Sequence, residues 1–230
     1  MVVARDDTRL AALAKELHAT HGVAVEVCTA DLTRPGDVGA VETLLASSES
    51  PVDLLVNNAG IATTGAFADL PIEAELAEID LNVIALVRLC RAALPGMIRR
   101  GAGGIINVSS LAGYQPTPKN ATYAATKAYV TSFSQALREE VRGTGTHVMV
   151  VCPGMTRTEF QARAQIDSSR VPARLWMEAE TVVEVALRGF ERERAVCIPG
   201  ALNQAAAAFS ATAPAVLTRR IAGAVVDRVE

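Results

Sequence analysis

The chain has 230 residues and a mass of 24.1 kDa, enough for one domain with a sizeable core. Half of its residues are hydrophobic and 20% are charged, a balance that excludes a disordered chain. A formal net charge of −3, with no long basic run, gives no footprint for nucleic acid.

The cysteines Cys28, Cys90, Cys152 and Cys197 are scattered without a C-x-x-C pair. They read as small buried residues in a reducing compartment, not as a disulfide frame. His18, His21 and His147 lack accompanying carboxylates or thiols, so no metal site is expected. Met1-Val2-Val3-Ala4 runs straight into Arg5-Asp6-Asp7, with no leader pattern, and no uncharged apolar run approaches the roughly 20 residues of a membrane span. A cytoplasmic protein is expected.

In chain order, a helical pattern over Thr8–His21 precedes the apolar run GVAVEVCTA (22–30). A second helix over Val38–Ser47 leads to VDLLVNN (52–58), and a long one over Ile72–Arg100 leads to GIINVSS (104–110). The helix Ala121–Arg142 precedes HVMVVCP (147–153), and Thr181–Glu191 precedes AVCIPG (195–200). The apolar runs are too short for helices and rich in valine and isoleucine, as buried parallel strands are. Strand and helix alternating this way predict an α/β fold, a doubly wound parallel sheet with right-handed crossovers. Ligands of such sheets sit beyond the carboxyl ends of the strands. There the chain places Asp31, Asn57-Asn58-Ala59-Gly60, Ser109-Ser110 and Pro153-Gly154, small or polar at nearly every end. A single domain over 1–230 is expected, with 201–230 as a helical tail.

Within YAATKAY (123–129), Tyr123 and Lys127 are four apart, so they share one helical face with Cβ atoms about 5–6 Å apart. An ammonium there favours the phenolate and lowers the tyrosine below its reference pKa of about 10. Such a phenol trades protons with an alcohol or carbonyl. For an isolated Y-x-x-x-K, an exposed pair on a surface helix is the alternative.

The motifs ADL (30–32), NNAG (57–60), LN (81–82), SS (109–110), YAATK (123–127) and PGMTRT (153–158) occur in the order and setting of the short-chain dehydrogenase/reductase family, which the chain resembles over nearly all its length. The resemblance implies a Rossmann-type sheet, a nicotinamide cofactor and a catalytic tetrad of Asn82, Ser110, Tyr123 and Lys127. The family's spacing between serine and tyrosine selects Ser110 over Ser109. Tyr123 then exchanges the proton, Ser110 binds the substrate oxygen, Lys127 supports Tyr123 and the cofactor ribose, and Asn82 anchors a relay water.

By the same resemblance Asp31 meets the adenine with Leu32 beside it, although D-L-T is also good turn chemistry. Asn58, Ala59 and Gly60 let the backbone pass close to the cofactor, and Pro153, Gly154, Thr156 and Thr158 grip its nicotinamide end. Arg5, following Ala4 at the end of the implied second strand, favours NADP(H) over NAD(H), since arginine suits a 2′-phosphate.

The family's glycine-rich turn T-G-x-x-x-G-x-G is absent, and GAGG (101–104) precedes a strand, so it reads as a helix stop. MVVAR aligns with the end of the family's second strand, leaving the fold N-terminally truncated by about thirty residues, the family's first strand, glycine turn and first helix. A start placed too far downstream is the preferred expectation; a truncated homologue serving as a binding or dimerisation partner is the alternative. Unpaired strand edges are expected to face the gap.

Phe160, Ile166, Val171, Leu175, Trp176 and Met177 resemble the family's variable lid and suggest a lipophilic carbonyl or alcohol substrate. By the same resemblance, the long helices at 72–100 and 121–142 imply pairing into a homodimer or homotetramer. In the tail, Leu217, Ile221 and Val225 form an apolar stripe beside Arg219, Arg220 and Arg228. Docking of that helix on protein is expected over attachment to a membrane.

Overall fold

The computed structural model describes residues 1–166, 171–214 and 216. Eight strands and eight α-helices alternate along most of these residues. They are β1 (Val2–Ala4), α1 (Asp7–His21), β2 (Val27–Thr29), α2 (Pro35–Ala46), β3 (Leu54–Asn57), α3 (Ile72–Ile79), α4 (Leu86–Arg100) and β4 (Gly103–Val108). There follow α5 (Ala121–Glu140), β5 (Thr146–Val151), β6 (Thr156–Arg157), α6 (Phe160–Arg163), β7 (Met177–Glu178), α7 (Ala179–Glu191), β8 (Val196–Cys197) and α8 (Ala201–Thr212).

The strands of the main sheet run in the order β3-β4-β5-β8, all parallel. Period-two alternation divides its residues between two layers. Ile105, Val148 and Val150 pack with Leu89, Ala93 and Met97 of α4 and Val130 of α5, whereas Ile106, Met149 and Val151 pack with Ala186 and Phe190 of α7. Helices on both faces make this a doubly wound Rossmann-type sheet, as the element order predicts.

The sheet is in two pieces. Among the described residues β1 and β2 pair in parallel with each other and with no other strand, so β1 and β3 each have a neighbour on one side only. Leu54 and Val56 of β3 are 37% and 49% exposed, as expected for edges facing a gap. The β1–β2 pair joins the rest through the shared core, where Val38, Val41 and Leu45 of α2 meet Leu86 and Leu89 of α4. Arg88 of α4 adds a forked contact to Glu42 of α2 at 2.8 and 2.6 Å.

Two sequence expectations need correction. The strand expected over 22–30 pairs only over Val27–Thr29, because Gly22 closes α1 in the left-handed region and Val23 is exposed. The helix expected as one piece over 72–100 contains a π-helical stretch, Asp80–Ala85, with Asn82 inside it. Such a stretch is frequent at functional sites. GAGG behaves as a stop: Gly101 caps α4 with φ 65° and β4 begins at Gly103. The stripe Leu217, Ile221 and Val225 lies outside the described residues, and α8 ends at Thr212 before Pro214.

Candidate active site

The carboxyl ends of β3, β4 and β5 and the first turns of α5 enclose one polar cluster. Register places Asn57 of β3 opposite Asn107 of β4, and the Asn57 amide donates to Asn107 Oδ1 at 2.9 Å. Asn107 in turn donates to Ser134 of α5. This buried ladder fixes the strand ends and leaves Asn58 and Ala59 exposed beyond them.

The two adjacent serines diverge. Ser109 is buried, and its hydroxyl donates to the Lys127 carbonyl at 2.7 Å while meeting Thr131. That hydroxyl is committed to holding α5. Ser110 is only half-buried, caps the 3₁₀ turn Leu111–Tyr114 and lies near enough to the Tyr123 phenol to act on its protonation.

Tyr123 and Lys127 share a face of α5, with Lys127 Nζ 5.7 Å from the centre of the phenol ring. Lys127 is buried and donates to the Val108 carbonyl at 2.9 Å. Burial pushes its ammonium down to about 8, opposed by the carboxyl of Glu78. The expected depression of Tyr123 is corrected by its surroundings. Burial raises the phenol to about 12, the nearby Ser110 hydroxyl acts the other way, and Glu78 adds to the rise.

Asn82 is 1% exposed. Its Oδ1 accepts from the Ile61 amide at 3.0 Å, and its amide donates to the Ile61 carbonyl and to Thr126 Oγ1. Asn82 therefore ties the loop after β3 to α5, one residue from Lys127. Gly60 lies against the same groups: an added Cβ would sit 3.2 Å from Asn82 Oδ1 and 3.3 Å from Lys127 Nζ.

The other candidates are arranged less uniformly. Asp31 Oδ1 accepts from both the amide and the hydroxyl of Thr33, which is the turn chemistry, and these bonds hold its carboxyl below the usual range. Leu32 packs at the edge of the core, and exposed Arg5 is close enough to Asp31 to act on it electrostatically. Pro153 follows β5, and its carbonyl accepts from Leu111 N. An added Cβ at Gly154 would collide with Asn203 of α8 at 2.6 Å, so this glycine has a packing reason. Thr156 bonds to the Gly154 carbonyl, and Thr158 accepts from Phe160 N at the start of α6.

Three features escape the sequence reading. Phe160 stands 5.6 Å from Tyr123, centre to centre, placing the apolar segment against the reactive phenol. Glu75 and Glu78 are fully buried and gather Thr63 and Thr122 behind Lys127. Cys90 sits inside the asparagine ladder, where burial pushes its thiol up to about 12.

A nicotinamide dinucleotide fits the residues that are present at the strand ends. The backbone at 58–59 is open, and Gly60 closes against Asn82 and Lys127 where a Cβ would crowd both.

Comparison with known proteins agrees with this geometry. The family described as short chain dehydrogenase matches residues 1–168. An uncharacterised oxidoreductase of Staphylococcus saprophyticus is 32% identical over 173 residues, 73% of this chain and 74% of its own length. A short-chain dehydrogenase from Sphingobium yanoikuyae, solved in complex with NADPH, superposes with a TM-score of 0.82 at 40% identity, covering 92% of this chain and 85% of that one. The bulky-bulky ketone specific alcohol dehydrogenase from Comamonas testosteroni superposes with a TM-score of 0.77 at 33% identity, covering 92% and 83%. The chain is an oxidoreductase of the short-chain dehydrogenase/reductase family.

Proposed function

We propose that the protein interconverts a carbonyl and a secondary alcohol on a lipophilic substrate, with NADP(H) as the preferred cofactor. The observation that carries this reading is the convergence of Ser110, Tyr123, Lys127 and Asn82 at the strand ends, with Phe160 against the phenol.

Tyr123 donates its phenolic proton to the substrate oxygen in reduction and takes one up in oxidation. Ser110, placed beside that phenol, donates to the same oxygen as negative charge develops on it. The buried Lys127 ammonium stabilises the phenolate that proton donation leaves behind. Asn82 holds the loop at Ile61 and the start of α5 in fixed relation, so these groups stay aligned. A bound nicotinamide dinucleotide supplies or accepts the hydride. Asp31, Leu32, Asn58, Ala59, Gly60, Pro153, Gly154, Thr156 and Thr158 would hold it, with Tyr123 and Lys127 at its reactive end.

Arg5 supports NADP(H), because a guanidinium suits a 2′-phosphate. The NADPH complex of the Sphingobium relative points the same way. The lipophilic substrate is supported by Phe160 and by the bulky ketones named for the Comamonas enzyme. Thermal unfolding with NADPH and with NADH tests the cofactor. A nucleotide at 100 times its dissociation constant stabilises by about 2.7 kcal/mol, and a larger shift for NADH would reverse the preference. Faster turnover of small polar carbonyls than of bulky apolar ones would refute the substrate class.

The split sheet favours a second reading, a binding or dimerisation partner without catalysis. No thermal shift with either nucleotide would select it. For assembly we infer a homodimer or homotetramer through α5 and through α4 with the π-helical stretch before it, where Tyr129, Ile98 and Ile84 are exposed; light scattering that shows a monomer at micromolar concentration would overturn this. The four free thiols suit a cytoplasmic setting.

A further inference from the structure

Behind Lys127, the loop after β3 crosses α3 and brings one hydroxyl between two buried carboxyls. Thr63 Oγ1 lies 2.5 Å from Glu75 Oε1 and 2.8 Å from Glu78 Oε2. Glu78 Oε2 also accepts from the Thr63 amide at 2.7 Å, and Thr122 of α5 donates to Glu75 Oε2. Glu75 is 3% exposed and Glu78 0%.

A threonine hydroxyl has one hydrogen. It can donate to only one of the two carboxyls, so the other contact requires a proton on a carboxyl oxygen that donates back to Oγ1. Glu78 Oε1 makes the same demand: it is buried with no hydrogen-bond partner among the described residues. A full negative charge there would be costly. Burial, with the charge of Glu75 acting the same way, pushes the Glu78 carboxyl above the usual carboxylate range.

The charged or titratable groups around Glu78 are Glu75 on its own helix and Lys127 and Tyr123 on α5. The loop at 61–65 brings none. Among the described residues no carboxylate hydrogen-bonds to Lys127, whose ammonium donates to the Val108 carbonyl.

We propose that Glu75 and Glu78 share one proton through the Thr63 hydroxyl, and that the charge left on this pair is the buried counter-ion of Lys127. The exchange balances without a co-reactant. The proton on Glu78 Oε2 passes to Thr63 Oγ1 as the hydroxyl proton passes to Glu75 Oε1, and no electrons move. With the charge on Glu78, Lys127 keeps its proton; with the charge on Glu75, that hold weakens. Glu78 is thus a positioning residue for the protonation of the Tyr123–Lys127 pair. The inference extends the oxidoreductase reading but is tested without turnover.

Two spectroscopic measurements on the full chain test it. Infrared spectra at about pH 8 should show the carbonyl band of one un-ionised carboxyl. Glu75→Gln and Glu78→Gln should each remove it, since either amide replaces the neutral carboxyl and leaves its partner anionic. Thr63→Ser should keep the band, and Thr63→Val should move it. Absence of the band, or a band indifferent to Thr63→Val, overturns the shared proton.

The chain has three lysines, Lys15, Lys119 and Lys127, so ¹³C-lysine NMR isolates Lys127, with Lys127→Met as assignment control. Its midpoint should fall by about one unit in Glu78→Gln, the low end of what a neighbouring charge does. It should not fall in Glu75→Gln, which leaves the charge on Glu78. A midpoint unchanged in Glu78→Gln overturns the counter-ion role, and Glu75→Gln lowering it equally does the same.

Discussion

Tyr123→Phe should lower turnover by about 10²–10⁴-fold, the usual contribution of a positioned general acid–base group. The phenyl ring keeps its place against Phe160, so the loss is confined to the hydroxyl. Circular dichroism and the unfolding midpoint should stay close to the parent. Steady-state rates over a panel of carbonyls are the measurement, and a rate within twofold of the parent would remove Tyr123 from the chemistry. The pH dependence carries a sign. Without bound nucleotide, burial holds the phenol near 12, so it is protonated and fit to donate throughout the neutral range. Oxidation needs the deprotonated form, whose fraction rises tenfold per pH unit below that value. Alcohol oxidation should therefore climb with pH. Carbonyl reduction should stay level until Lys127 loses its charge, near 8.

Gly145→Ala should be among the most destabilising single substitutions in the protein. Gly145 has φ 77°, and an added Cβ would lie 1.9 Å from the carbonyl oxygen of Gly101. The left-handed backbone costs a non-glycine residue about 1–3 kcal/mol, and forcing two backbones apart adds a comparable amount. The consequence reaches the site. Gly145 immediately precedes β5, and Gly101 lies two residues before β4; Ser110 and Pro153 follow the far ends of those strands. Thermal denaturation should show a fall of many degrees, with turnover reduced in the folded fraction. Gly143→Ala is the control: φ is similar at 79° but no atom lies within 4 Å, so only the backbone strain remains. Equal losses in the two variants would show that the contact with Gly101 does not matter.

The order of strands and helices was legible because parallel strands buried on both faces must be continuous valine and isoleucine runs. Ile105-Ile106 and Val148 to Val151 alternate between two cores without a break in the pattern. Where one side of a run meets solvent the signal fails, as at Val23 before β2. The π-helical stretch was invisible because Asp80–Ala85 keeps the apolar spacing of an ordinary helix on both sides. Ser110, Tyr123, Lys127 and Asn82 could be picked out because their motifs resemble those of the short-chain family, and the structure gathers them in one cluster. Glu75 and Glu78 could not. Two acids three apart on a helix look like a solvated face, and their burial depends on a loop twelve or more residues upstream folding over them. Phe160 was legible as an apolar residue of the lid, but its place beside Tyr123 depends on how α6 turns back.

The division of the sheet has a consequence for the order in which the molecule opens. Strands β4 and β5 are paired on both sides and buried on both faces. Their amides should exchange with deuterium only when the whole domain unfolds. The unit β1–α1–β2 hangs on one short ladder, and Leu10 is the sole fully buried side chain of α1. Its amides should exchange through a separate, less costly opening in which α2 stays seated on α4. Mass-spectrometric exchange should therefore resolve two ranks of protection, with residues 2–29 labelling as a block well before 103–108 and 146–151. A protease under native conditions should cut first within that block.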